Sequence, residues 1–304
     1  MVPKFFHLFS FIFLLFLLIP FLYFSHATPH QSAKQSSSAL DFLKPLIGTR
    51  KGSKAIGLSQ LKKYLSNLGY LSNDNSNNPS HDNDDLFDDN LELAIKKFQQ
   101  FVKLTVNGFL DANTVAKLHQ PRCGVPDFAH RNRTQFQYTG SKYNFFPGEP
   151  KWPPTKRNLT YSFPLGTRID LNLAILSATR MWANVSPFKF TFIPDYDKAD
   201  IKISLQRRDH GDGSPFDGSG GILAHAFAPT DGRLHYDQDE KWWYGVLPGA
   251  YDLETVGLHE LGHILGLAHS NDGGSIMWPY IGNGFRKGIG QDDINGLKAL
   301  YNYK

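Results

Sequence analysis

Residues His259 to His269 read HELGHILGLAH, and this run limits the fold more than any other part of the chain. His259 and His263 stand four residues apart, so on a helix they project from one face about one turn apart, as two ligands of one zinc ion require. Gly266 lets the chain leave the helix and brings His269 round as a third imidazole. Three neutral ligands leave the fourth tetrahedral position to water, which marks a catalytic rather than a structural zinc. The pKa of water bound there falls to about 7. Glu260, beside the first histidine but off its face, is placed to take that water's proton and return it to a leaving amine.

The pattern HExxHxxGxxH, with Met277 in SIMWP eight residues after His269, resembles the metzincin clan of zinc endopeptidases, and Ser270 directly after the third histidine resembles its matrixin branch, the matrix metalloproteinases. The resemblance implies an α+β fold: a metzincin-like zinc protease domain with a twisted mixed sheet and about three helices, preceded by a small three-helix prodomain. It gives Met277 a structural role. It implies a substrate peptide extended beside an edge strand around Leu223 to Phe227, with the Ala224 carbonyl holding the leaving amine. It also implies that Asp292 or Asp293 receives the new N-terminal ammonium after activation. Ordinary complementation of the helix dipole competes for those two acids.

Cys123 is the only cysteine of 304 residues, so no intrachain disulfide can form. It lies in PRCGVPD, Pro121 to Asp127. A cysteine near proline and glycine is most often a buried small hydrophobe. Thiolate is also a strong zinc ligand, and Gly124 leaves room for backbone to lie in a cleft. The segment matches the cysteine-switch motif of matrixin proenzymes. That match implies that Cys123 fills the fourth zinc position, that Arg122 pairs with Asp127, and that the chain is latent until the segment leaves.

A second set, His210, Asp212, His225 and His235, offers three imidazoles and a carboxylate, enough to close a structural zinc site. Spacing alone does not separate it from scattered surface histidines; the similarity to the matrixin pattern HGD…AHA…LHYD implies the site. Neighbouring oxygen donors suit calcium: side chains of Asp217, Asp237 and Glu240, with carbonyls of Gly218, Gly220 and Ile222, at positions matching the family's main calcium site. The chain also departs from the family. Arg233 stands where a second calcium site needs Asp, although Asp200 remains. The wall after Met277 reads Pro279, Tyr280, Ile281 instead of Pro-x-Tyr, which changes the prime-side pocket. With no trailing propeller domain after Lys304, the chain resembles the minimal secreted members, above all the plant ones.

Compartment follows from the N-terminus. Lys4 precedes an apolar run to Phe24, and Ser25, His26, Ala27 suit cleavage, so 1–27 reads as a signal peptide. A retained signal anchor competes, since the run matches the roughly 20 residues that span a bilayer. Sequons at Asn132, Asn158 and Asn184 are consistent with secretion, the last weakened by Pro187. An unpaired thiol in an oxidising compartment is a liability unless occupied, which the zinc reading explains. A net charge of +4 from 32 basic and 28 acidic residues makes no strong basic field, so nucleic acid is not expected as a partner. Extracellular protein or peptide substrates, a monomer and no stable membrane anchor are expected.

The rest of the chain supplies the organisation. Leu58, Leu61, Leu65 and Leu68 recur at helical spacing; Leu91, Ala94, Ile95, Phe98 and Val102 form a second stripe; and Asp111 caps a short helix with Val115 and Leu118. This segment resembles a peptidoglycan-binding-like bundle in pattern. The Asn- and Asp-rich stretch between the first two helices is a loop; from Asp82 an EF-hand would need Gly and Glu where Phe87 and Leu93 stand. The limits expected are 28–127 for the prodomain, 128–150 for an extended, proline-rich activation linker and 151–304 for the catalytic domain. In the last, strands are expected near 159–163, 189–193, 200–205, 223–228 and 234–237, with helices at 169–185, 252–267 and 291–301. The leading function is a secreted, latent zinc endopeptidase. A cell-wall-binding protein with a zinc scaffold, or a zinc amidase acting on wall peptides, are alternatives; a scaffold needs neither Glu260 nor an open ligand position.

Overall fold

A computed structural model describes residues 38–71, 84–128 and 142–303. The signal-peptide reading of 1–27 and the sequon at Asn132 lie outside the described residues.

The first part is helical. A 3-10 helix, Asp41–Leu46, precedes α1 (Leu58–Asn67), α2 (Asp89–Phe101) and α3 (Ala112–Leu118). The leucine stripe of α1 and the apolar stripe of α2 close on each other and on Val115 and Leu118 in one core, as amphipathic helices with no other apolar partner must. Helix α1 has no cap of its own; Gly57 enters with φ +103°, and Asp85 accepts from the N–H groups of Gly57 and Ser59. The end of the acidic stretch therefore serves the helices. Asp88 caps α2 through the Leu91 N–H, and buried Lys62 donates to Asp84 and Asp88, both at 2.7 Å. Asp111 caps α3 through the Thr114 N–H.

The chain then continues as β1 (Arg122–Cys123), β2 (Asn144–Phe145), β3 (Asn158–Ser162), α4 (Ile169–Val185), β4 (Lys189–Phe192), β5 (Ile201–Gln206), β6 (Ile222–Ala226), β7 (Arg233–Asp237), β8 (Trp242–Trp243), β9 (Tyr251–Asp252), α5 (Leu253–Ile264), β10 (Leu267–Ala268) and α6 (Gln291–Tyr301). The main sheet runs β1-β6-β7-β5-β3-β4, parallel throughout except for the antiparallel pair β6 and β7. Helices α4 and α5 share one core with the sheet, in which Leu171, Ile175, Trp182, Val256 and Leu261 meet Leu159, Ile203 and Leu234. The mixed sheet with three helices is the α+β architecture expected.

Two segments differ from the sequence reading. The expected helix to 267 stops at Ile264, because Gly266 adopts φ +100° and sends the chain into β10. The described part of the proline-rich linker is extended but carries a paired strand that the sequence reading did not include: β2 pairs antiparallel with β10, and beyond it Trp152 is buried with its Nε1–H on the Ile264 carbonyl. Prolines mark where a chain cannot donate hydrogen bonds; they do not prevent the residues between them from pairing.

Candidate metal and active site

Helix α5 is buried along its whole length, with Asp252 as N-cap. It carries His259 and His263 toward one point, and the turn at Gly266 delivers His269 to the same place. In each ring Nδ1 lies 2.7 Å from an acceptor: the Ile276 carbonyl for His259, the Leu267 carbonyl for His263 and Asp127 Oδ1 for His269. An oxygen that only accepts places the proton on Nδ1, leaving each Nε2 with a bare lone pair. Those Nε2 atoms stand 3.1 Å (His259 to His263) and 3.3 Å (His259 to His269) apart. Two acceptors so close repel unless a cation lies between them, and nitrogens about 2.0–2.1 Å from a tetrahedral zinc are about 3.3 Å apart. Cys123 Sγ is 3.5 Å from His263 Nε2. The four donors lie within 4.8 Å of one another and are all buried. The residues present fit zinc.

Glu260 adjoins this set. Both of its carboxylate oxygens are buried without a hydrogen-bond partner among the described residues, and burial pushes its carboxyl up to about 8. Met277, almost wholly buried, takes the Ser270 N–H on its carbonyl. Asp293 anchors that turn by accepting from the Ser275 hydroxyl and from the N–H groups of Ile276 and Met277. Asp292 instead accepts from the Ser270 hydroxyl and from the Tyr143 N–H at 3.1 Å. The two acids that were interchangeable in sequence thus have different surroundings.

The segment 121–127 lies in a groove. On one side β1 runs parallel to β6, with Arg122 N–H on the Gly221 carbonyl and Gly124 N–H on the Ala224 carbonyl; on the other, Cys123 N–H reaches the Pro279 carbonyl and Ile281 N–H the Pro121 carbonyl. A Cβ at Gly124 would stand 2.6 Å from an Ile222 methyl, so only glycine lets the backbone approach this far. Arg122 and Asp127 form a two-pronged pair at 2.9 and 2.6 Å, both side chains 0% exposed. Burial would raise the Asp127 carboxyl, but the Arg122 guanidinium and His269 hold it far below the usual range. Removing one partner of such a buried pair strands the other charge. Arg122→Ala is accordingly expected to destabilise the intact chain by about 3–5 kcal/mol, read as a lower urea midpoint.

His210, His225 and His235 converge on a single oxygen, Asp212 Oδ2, at 2.8, 2.8 and 2.9 Å. Burial pushes His225 down to about 4, so its ring is neutral and able to ligate. The four donors again lie within 4.8 Å of one another, an N3O set that closes a tetrahedral zinc. Close by, burial pushes the carboxyls of Asp217 and Glu240 up to about 7 and 8, and raises Asp237 as well. One Asp217 oxygen is buried and has no hydrogen-bond partner among the described residues. Three carboxylates brought together, with Arg208 nearby but bonded to the Asp217 carbonyl instead of a carboxylate of the three, fit a hard cation such as calcium. Gly218 and Gly220 donate their N–H groups to Asp237 and Glu240, and Ile222 donates to Asp217, so the loop wraps these acids closely.

Asp200 is placed differently. Its oxygens are taken by Lys156 at 2.8 Å and by the Thr160 N–H and hydroxyl at 2.7 Å, and Arg233 pairs with Asp231. A lysine ammonium therefore stands where a second cation would need free carboxylates. Asn158 and Asn184 are exposed, the first sharing its Oδ1 with the Thr191 hydroxyl, the second in the last turn of α4. Three contacts had no sequence signal: Asp127 on His269, Phe146 5.6 Å from the His263 ring, and Asp293 under the Met277 turn. Each joins residues at least 16 apart along the chain, with no periodicity to reveal it.

Comparison with known proteins follows the same division. A family model described as Matrixin matches residues 151–302, and one described as Putative peptidoglycan binding domain matches residues 57–118. The chain is 43% identical to Metalloendoproteinase 1 of Glycine max over 260 residues, 82% of this chain and 83% of that protein. It is 40% identical to Metalloendoproteinase 5-MMP of Arabidopsis thaliana over 293 residues, 91% of this chain and 80% of that one. It is 43% identical to Interstitial collagenase of Sus scrofa over 249 residues, 79% of this chain and 48% of that protein.

Proposed function

The chain belongs to the matrixin family and is a zinc metalloendopeptidase, and on that premise we propose that it is secreted as a latent enzyme whose prosegment occupies its own cleft. The observation that carries this reading is Cys123 Sγ at 3.5 Å from His263 Nε2, closing a set of three converged imidazoles with Glu260 beside it. The proposed limits are a signal peptide at 1–27, a prodomain at 28–127, an activation segment from 128 and a catalytic domain at 151–304. Among the described residues no helix is long and apolar enough to cross a membrane.

In the latent chain β1 takes the carbonyls of Gly221 and Ala224, bonds that an extended substrate would otherwise make. His259, His263 and His269 would hold a zinc ion, which when bound would supply Lewis acidity toward the scissile carbonyl and the attacking water. Glu260 takes the proton of the attacking water and passes it to the leaving amine, which the Ala224 carbonyl then holds. Water reaches Glu260 only when Cys123 withdraws. Because the Tyr143 N–H already points at Asp292, a cut before Tyr143 would turn that amide into an ammonium paired with Asp292, while Asp293 stays with the Met277 turn. The set of His210, Asp212, His225 and His235 holds a structural zinc, and Asp217, Asp237 and Glu240 with the carbonyls of Gly218, Gly220 and Ile222 hold calcium. Substrates are extracellular proteins or peptides.

The test is incubation of the activated full-length chain with a mixed peptide library, with and without a chelator, with cleavage positions read by mass spectrometry. Cleavage that a chelator abolishes and zinc restores is expected. A protein that binds wall polysaccharide through residues 40–120 and cuts no peptide would replace this reading with the scaffold one.

A further inference from the structure

The wall of the cleft opposite β6 carries two aromatic rings, Trp278 and Tyr280, with centroids 5.6 Å apart and planes inclined at 47°. Their neighbours come from the prodomain. Phe101 of α2 stacks on Trp278 at 6.0 Å with the planes 7° apart. The Lys117 ammonium of α3 stands 3.8 Å from the Tyr280 ring centroid and 5.0 Å from that of Trp278, and the Arg122 guanidinium lies 5.1 Å from Tyr280. Lys117 makes no ion pair among the described residues; it donates to the Gln120 side chain and otherwise rests on these two rings. Arg122 is held by Asp127, whereas no carboxylate among the described residues serves Lys117, which identifies the ring quadrupole as what receives that ammonium.

The catalytic domain holds the start of this wall from within, while Tyr280 itself packs in the prodomain core. Asp293 of α6 holds Ser275, Ile276 and Met277, and the Trp278 N–H bonds the Ser275 carbonyl. When residues 28–127 leave, the rings remain and lose their cover; Tyr280 is only 9% exposed while they are present. The residues on either side of Tyr280 also face the groove. The Pro279 carbonyl and the Ile281 N–H bond the backbone of Cys123 and Pro121 now, and become available to an extended substrate, whose side chains then pass over the rings.

We propose that Trp278 and Tyr280 form a subsite of the opened cleft that takes a basic side chain, lysine or arginine, of the protein substrate, and that Lys117 and Arg122 occupy it in the latent chain. The proposal rests on the peptidase reading above and adds a substrate class to it. No covalent step is involved; selectivity comes from the cation on the aromatic faces, where a neutral side chain of equal length gains only the apolar contact.

The experiment uses the full-length chain after activation and a peptide series identical except at one position, scanned along the peptide with lysine, arginine, norleucine and glutamine. At one position kcat/KM is expected to be about 3- to 30-fold higher for lysine or arginine than for norleucine. That ratio should fall toward one in Tyr280→Leu, survive in Tyr280→Phe, which keeps the aromatic face, and shrink in Trp278→Leu. The proposal is overturned by a ratio near one at every position, or by a preference that Tyr280→Leu and Trp278→Leu leave intact. If no peptide of any composition is cut, the peptidase reading itself fails and the subsite goes with it.

Discussion

Glu260→Ala is expected to lower turnover of the activated enzyme by about 10²- to 10⁴-fold, the range over which a positioned acid–base group contributes, while zinc content measured on the same preparation is unchanged. The separation follows from geometry. Glu260 donates no atom to the converged set of His259, His263, His269 and Cys123, so its loss removes proton transfer and leaves metal binding alone. In the latent fold its oxygens are buried and served by no group among the described residues beyond the adjoining Cys123 thiol. The thermal midpoint of the variant should therefore not drop. A residue that weakens the resting fold and is kept for the reaction is the usual compromise at active sites. Hydrolysis at the normal rate by Glu260→Ala would end the proposed mechanism.

Cys123→Ser is expected to make the unprocessed chain active. In the intact protein the prosegment is held by the thiol at the imidazoles, by the bonds of β1 to β6 and to the 279–281 wall, and by Asp127, which Arg122 braces against His269. Removing the sulfur leaves the other two anchors, so the segment still binds but releases more often. Loss of even about 1.4 kcal/mol raises the open population about tenfold. Initial rates without the lag of the parent chain, on protein shown by mass spectrometry to retain residues up to 127, are the readout. A lag of the same length would count against the switch and shift the weight to Arg122 and Asp127.

These two predictions differ in how far they were visible beforehand. The roles of His259, Glu260 and His263 lie within one helical turn, and a helix imposes that geometry wherever it is placed. The stripes of α1 and α2 and the cap of α3 were legible for the same local reason. The pairing of β2 with β10 in the proline-rich stretch was not legible, because it depends on a partner more than 120 residues away. Asp292 and Asp293 show the limit sharply. Adjacent and identical in type, they differ only in what other segments bring to them: Tyr143 and Ser270 to one, the Met277 turn to the other.

By itself, the sequence determined the chemistry available: three imidazoles at fixed helical and turn spacing, one carboxylate beside them, one cysteine and a second set of histidines. Residue type and short spacing suffice for that, because ligand identity and helical pitch are local properties. Tertiary structure alone decided which groups meet. It set Asp127 of the prosegment on His269, 142 residues away, gave Asp293 to the Met277 turn, put Lys156 on Asp200, and laid Lys117 and Arg122 over the rings of Trp278 and Tyr280. Such contacts are fixed by the packing of distant segments in one core, and no local pattern encodes a partner that the chain reaches only after folding.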